Sequence, residues 1–244
     1  ADVDFGDIID YLATDPQTRA ILLYIESVKN ARKVMSAARA AARNKPIVAV
    51  KSGRNARAAQ AAASHTGALA GSDDVYTAAL SRAGILRVDG VEELFDTVET
   101  LARSRRLPGE RLAIVTNGGG PGVMAVDELI ERGGMLAELG AETLAALDKV
   151  LPVTWSHGNP VDIIGDAPSQ RYADALKIVL ADAGVDAVLV MHAPTAIVPS
   201  LEPAQAVIAA ARGSPKNVLT CWSGGKAVQT ARRVGMLFGD HRYF

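Results

Sequence analysis

The run Ser64-His65-Thr66-Gly67 sits in a stretch of alanine, glycine and serine that extends over residues 56–71. An imidazole in such surroundings suits a loop that moves or is closely approached, and its ring nitrogens serve as nucleophile or base near neutral pH. A lone histidine is also a common structural residue, so residue type alone leaves both readings open. Ser64 and His65 do not make a hydrolase pair. Neighbours in sequence rarely face one another productively, and the chain has no G-x-S-x-G elbow. Glu26 follows an aliphatic run at residues 20–25. Ligands of open α/β sheets gather beyond the carboxyl ends of strands. A carboxylate there can orient an imidazole and stabilise its charged form; a solvated strand-end glutamate is the plain alternative.

A second group of residues runs Thr116-Asn117-Gly118-Gly119-Gly120-Pro121-Gly122. It follows an aliphatic run and opens a helical one. Backbone N–H groups at such a turn, with the helix dipole behind them, bind phosphate or another anion. Glycine lets the ligand approach because no Cβ intervenes. Residues 120–125 also fit the G-x-G-x-x-A form of the dinucleotide fingerprint, which leaves a nicotinamide or flavin site as a competing reading. No aromatic cluster supports a stacked flavin. Gly224-Gly225-Lys226-Ala227 is not a Walker A loop, since it lacks the Ser/Thr and the leading glycine.

A third group, Trp155-Ser156-His157-Gly158-Asn159-Pro160-Val161-Asp162, lies in a long segment, residues 151–168, with no evident periodicity. Loops of that length are usually functional, so Asn159 and Asp162 are candidate site-loop residues. A loop that simply packs is the alternative. His157 and His241 have no partner spacing that implies a metal, and His192 follows a strand where it could edge a site. No metal ligand set is expected.

The elements that must carry these residues alternate. Strands are expected at residues 20–25, 47–50, 85–88, 112–116, 135–137, 187–191 and 218–221. Helices are expected at 30–44, 73–83, 91–104, 122–132, 141–150, 169–182, 201–212 and 226–234, with Ser72 placed to cap the second. Strands alternating with helices argue for βαβ units and parallel sheets. The polar Pro-Gly segment 104–110 reads as a linker.

Composition excludes several classes. Of 244 residues, 49% are apolar and only 5% aromatic, which gives a mostly aliphatic core and rules out wholesale disorder. A formal net charge of −1 gives no reason to expect nucleic acid. Cys221 is the sole cysteine, which excludes an intrachain disulfide and a cysteine zinc site and fits a reducing cytoplasm. The apolar stretch 185–198 is broken by Asp186, His192 and Pro194, so no membrane span is expected. The N-terminus is acidic, unlike a signal peptide, and carries no initiator methionine. It reads as a fragment or a processed chain.

With these residues in hand, LLYIES at 22–27, KPIVAVKSGR at 45–54, ASHTGALAGSD at 63–73, VTNGGGPGVMAVD at 115–127 and GNPVDIIGDA at 158–167 resemble the ADP-forming (NDP-forming) acyl-CoA synthetases, relatives of succinyl-CoA synthetase. The resemblance spans nearly the whole chain. It implies an α/β fold of two flavodoxin-like parallel-sheet domains. The first, residues 1–108, would be the C-terminal part of one CoA-ligase domain, incomplete at its N-terminal side, and the second would be residues 109–244. The implied reaction joins a carboxylic acid, CoA and ATP to give acyl-CoA, ADP and phosphate, through an acyl phosphate and a phosphohistidine. His65 inherits the phosphorylated position, with Ser64, Thr66 and Gly67 around it. Glu26 inherits the orienting carboxylate. Thr116, Asn117, Gly118, Gly119, Gly120 and Gly122 inherit the cradle for the phosphoryl group. No cofactor is expected within the chain itself. The complete enzyme needs CoA, ADP or ATP and Mg2+, together with a CoA-binding domain and an ATP-grasp module in the same full-length chain or a partner subunit. Residues 232–244 depart from the family's usual ending. A competing implication is a ligand-sensing ligase-like region of a GNAT-type protein acetyltransferase, although His65 and Glu26, both present, favour catalysis.

Overall fold

The computed structural model describes residues 3–54, 72–105 and 107–232. The chain divides into two units, Ala1–Ala102 and Arg103–Phe244.

The first unit opens with a helix that the sequence reading did not anticipate, α1 (Phe5–Thr14). Asp4 caps it, accepting from Gly6 N and Asp7 N, while the Asp7 carboxylate returns a bond to Asp4 N. This is a reciprocal capping box with aspartate in place of glutamate. Ile9 is fully buried, and Phe5 and Leu12 pack beside it. The helix lies against α2 (Ala31–Ala41), whose Val34, Ala37, Ala38 and Ala41 are buried. Gly6 permits this approach, because a Cβ there would lie 2.7 Å from Lys33 Cγ. The strands β1 (Ile21–Ile25), β2 (Ile47–Lys51) and β3 (Leu86–Val88) form one parallel sheet in that order. Helices α3 (Asp73–Arg82) and α4 (Val91–Arg103) precede and follow β3. Ser72 does occupy the cap position of α3, but its side chain makes no cap hydrogen bond. The start of α3 is held instead by Arg87, which donates to the Asp73 carboxylate at 2.6 Å and to the Asp73 carbonyl at 3.2 Å.

The second unit is a five-stranded parallel sheet. Its strands are β4 (Arg111–Thr116), β5 (Met135–Leu136), β6 (Val161–Asp162), β7 (Ala187–His192) and β8 (Asn217–Trp222). Their order is β5-β4-β7-β8, with β6 on the same edge of β4 as β5 but further along it. Helices α5 (Gly119–Glu131), α6 (Ala141–Leu147), α7 (Ser169–Ala181) and α8 (Leu201–Ala211) connect them. The core is aliphatic, built on Val115, Val161, Ile163, Leu176, Val188 and Val190, with Tyr172 and Trp155 as its aromatic members. Segment 104–110 is tied into this unit. Arg105 N donates to Asn217 Oδ1, and Asn217 Nδ2 donates back to the Arg105 carbonyl.

Three expectations are corrected here. Residues 151–168 are not an unstructured loop: they contain β6 and bury Trp155, Val161 and Ile163 in the core. Helix α5 begins at Gly119 rather than residue 122, so the glycines form its first turn. The helix expected from residue 226 starts as a 3-10 turn, Gly225–Val228, before helical residues 229–232.

Candidate functional site

In the first unit Glu26 stands at the carboxyl edge of the sheet. Glu26 directly follows β1 and is exposed. The last residue pair of β1 and β2 is Ile25 with Lys51, and Ser52 N then donates to the Ile25 carbonyl at 3.0 Å. Lys51 was not singled out from the sequence. It ends a strand otherwise made of Ile, Val and Ala, is 2% exposed, and sets its ammonium 4.7 Å from the Tyr76 ring centre. Burial pushes this ammonium below the ordinary lysine range, and the charge of Arg87 adds to the lowering, whereas Asp73 and Glu26 oppose it. A cation closing an all-apolar strand was the signal that could have found it. Tyr76 also receives a bond from Val28 N at 3.2 Å, which fixes the turn after Glu26.

Ser64, His65, Thr66 and Gly67 lie outside the described residues. The residues bounding their segment are described. Arg54, shortly after β2, pairs with Asp89 at 2.7 Å, and Gly53 before it has φ +72°, a conformation that favours glycine. Ser72 and Asp73 begin α3.

In the second unit the chain leaves β4 for β5 on one side and pairs with β7 on the other. The junction of β4 and β7 is therefore the topological switch point, beyond whose carboxyl ends such sheets bind ligands. Thr116, Asn117 and the glycine turn are placed there. The buried Thr116 hydroxyl donates to the Gly118 carbonyl at 3.0 Å and accepts from Gly118 N at 3.1 Å, shaping the turn. Asn117 is also buried. Its amide donates to the Ala193 carbonyl and accepts from Ala193 N, both at 2.8 Å, so it latches the two strand ends together. Gly122 N closes the first helical turn on the Gly118 carbonyl. A Cβ on Gly122 would lie 2.9 Å from Thr116 Cγ2, so that glycine is required by packing. Gly119 and Gly120 are exposed, and their N–H groups have no partner among the described residues. A Cβ on Gly120 would meet nothing within 4 Å. This is open space over unpaired donors at a helix N-terminus, which suits an anion.

Asp162 shares this edge. A Cβ on Gly119 would lie 3.0 Å from Asp162 Oδ2, and Asp162 Oδ1 accepts from Ile164 N at 2.9 Å. Its carboxylate flanks the turn on the Gly119 side and leaves the Gly120 side open. Asn159 has a different task. Its Oδ1 accepts from Ile114 N at 2.9 Å, and its Nδ2 donates to the carbonyls of Leu112 at 3.0 Å and Ala137 at 2.9 Å. The side chain thus fills the gap in the ladder beside β4, between the end of β5 and the start of β6. It is a framework residue of the site loop.

The two described histidines, His192 and His157, are both held by neighbouring groups. His192 is 1% exposed, with Nδ1 2.8 Å from the Tyr172 hydroxyl and Nε2 2.9 Å from Ser200 Oγ, and its ring stacks on Trp222. Burial pushes its imidazole below the ordinary value and pushes the Tyr172 phenol well up. His157 joins Asp148 Oδ1 and the Val153 carbonyl, each at 3.0 Å. Among the described residues no group of three His, Cys, Asp or Glu side chains could hold a metal ion. No described helix is long and apolar enough to cross a membrane.

Two family models match. Residues 1–101 match the succinyl-CoA ligase-like flavodoxin domain, and residues 112–242 match the Ligase-CoA domain. An ADP-forming acetate–CoA ligase I of Archaeoglobus fulgidus is 41% identical over 242 residues, which is 99% of this chain and 34% of that protein. The alpha subunit of an ADP-forming acetate–CoA ligase I of Pyrococcus furiosus is 40% identical over 208 residues, 85% of this chain and 45% of that protein. The solved acetyl-coenzyme A synthetase 1 of Ca. Korarchaeum cryptofilum, in complex with phosphate and ADP, superposes with TM-score 0.91 at 32% identity, covering 99% of this chain and 53% of the other. The chain spans about a third to a half of the length of these relatives. Matched by two CoA-ligase-type models and sharing the fold of the solved relative, the chain belongs to the ADP-forming acyl-CoA synthetase family.

Proposed function

We propose that this chain supplies the phosphohistidine-carrying part of an ADP-forming acyl-CoA synthetase, in which a carboxylic acid, CoA and ATP give acyl-CoA, ADP and phosphate. The observation that supports the reading is the place of Glu26, which directly follows β1, beside β2, the strand that precedes the S-H-T-G segment in the sequence.

In the direction of ATP formation, phosphate displaces CoA from acyl-CoA and leaves an acyl phosphate. One imidazole nitrogen of His65 attacks the phosphorus, the bond to the carboxylate oxygen breaks, and the free acid departs. The other nitrogen keeps its proton in a hydrogen bond to Glu26, which fixes the tautomer and stabilises the imidazolium as it forms. ADP then takes the phosphoryl group from nitrogen and becomes ATP. Lys51 adds a buried positive charge behind Glu26. The Gly119 and Gly120 N–H groups, with α5 aligned behind them, supply donors suited to a phosphoryl group. Ser64, Thr66 and Gly67 flank the phosphorylated position in the sequence.

CoA, ADP or ATP and Mg2+ enter with a CoA-binding domain and an ATP-grasp module, in the same full-length chain or a partner subunit. The activity belongs in the cytoplasm, where the free thiol of Cys221 stays reduced.

The test is acyl-CoA formation by the full-length protein, or by this chain with its ATP-grasp partner. The intact protein is expected to turn over with release of ADP, and His65→Asn to lose turnover while keeping its fold. Turnover undiminished in His65→Asn would refute the reading. Ligand binding with no turnover in the intact protein would favour a sensing module instead.

A further inference from the structure

A groove of about 560 Å³ runs along the outer face of α2 and is edged by α3. Arg32 and Arg39 line it from α2, Arg43 from the turn just after that helix, and Arg82 from the last turn of α3. Met35 and Ser36 lie between the arginines, and no acidic side chain lines it among the described residues. Arg32 and Arg39 are seven residues apart, which returns both to the same face of the helix over roughly 10 Å. Arg39 Nε donates to the Arg82 carbonyl at 3.3 Å, which holds that guanidinium at the rim and leaves its terminal nitrogens free. The side chains of Arg32, Arg43 and Arg82 have no ion-pair partner among the described residues.

In a chain of net charge −1, four guanidiniums around one concavity, with no counter-charge among the described residues, form a local basic cluster. Three other basic side chains of the same unit are ion-paired: Lys33 with Asp4 and Asp7, Arg54 with Asp89, Arg87 with Asp73. Guanidinium forks fit phosphoryl oxygens two at a time. The volume is that of a small-molecule site, and the small side chains between the arginines leave room for the ligand.

We propose that this groove binds an organic polyphosphate, a small molecule with two or more phosphoryl groups spaced along its length. The site uses none of the residues assigned to phosphoryl transfer, so it stands or falls separately from that assignment. Its ligand bridges α2 and α3 through the guanidiniums and replaces the mutual repulsion of four like charges with charge-assisted hydrogen bonds.

The test is isothermal titration of the intact protein with tripolyphosphate at low salt. Saturable binding is expected, weakening as salt rises. The double variant Arg32→Ala/Arg43→Ala is expected to bind at least about tenfold more weakly with an unchanged circular dichroism spectrum, since both residues are exposed. Lys149→Ala, in the other unit, is expected to bind as the parent does. Absence of binding up to about 1 mM, equal binding by the double variant, or preference for an oligoglutamate peptide over tripolyphosphate would overturn the proposal.

Discussion

Glu26 and Lys51 carry opposite charges at the ends of adjacent strands, and their substitutions should differ in kind. Glu26→Gln keeps the shape but can no longer stabilise an imidazolium. Histidine phosphorylation is expected to slow roughly 10- to 100-fold with no change in stability, measured by rapid-quench labelling beside thermal unfolding. The glycines of the turn separate in the same way. Gly122→Ala drives a methyl group to 2.9 Å from Thr116 Cγ2 and should destabilise the protein by about 1–3 kcal/mol. Gly120→Ala meets open space, so its stability should change by less than about 0.5 kcal/mol. On the proposed function its methyl group would crowd the phosphoryl group, and phosphorylation should fall. Denaturant titration and labelling of the two variants, side by side, check this contrast.

At the scale of elements, the second unit relies on polar groups that tie strands together. Asn159→Ala would leave the Ile114 N–H, within a fully buried residue, without its acceptor, and would free two carbonyls as well. A loss of roughly 3 kcal/mol is expected by chemical denaturation. The Arg111 guanidinium holds the Asp186 carboxyl down at about 2, with the Arg111 N–H adding to it. Its contribution is complete at pH values above the ordinary carboxylate range and disappears as pH falls toward about 2. His192 acts in a higher window. Its burial favours the neutral ring, so the unfolded chain binds the proton more readily than the folded one does. Stability should therefore decline as pH falls below about 6.5, and His192→Asn should lack that slope. Unfolding midpoints measured between pH 7 and 5 check it.

The same scale shows what the sequence disclosed. The alternation of aliphatic runs and amphipathic stretches located the strands and most helices, because parallel strands buried on both faces are uninterrupted apolar runs. Helix α1 escaped notice: its Gly6 looks like a breaker, yet that glycine is where the Lys33 stem crosses. Strand β6 escaped because two residues carry no periodicity, and the side chain that extends the ladder beside it, Asn159, reads as a turn signal. The glycine turn and Glu26 were legible as chemistry by their places at strand ends. Lys51 was not, because its burial depends on Tyr76, which lies on α3 at a distance in sequence.

For the whole molecule, a net charge near zero conceals an uneven distribution, with ion pairs such as Arg87–Asp73 and Arg111–Asp186 beside arginines around the α2 groove that have no ion-pair partner among the described residues. The first unit carries a strand-end carboxylate, Glu26, and the second carries backbone donors, unpaired among the described residues, at the N-terminus of α5. The most direct measurement is to supply acetyl phosphate labelled with 32P to the intact protein and to His65→Asn, then treat both with acid and with alkali. The account predicts label on the parent that acid removes and alkali does not, and no label on the variant. Label of that stability remaining on the variant, or no label on a protein that otherwise turns over, would contradict it.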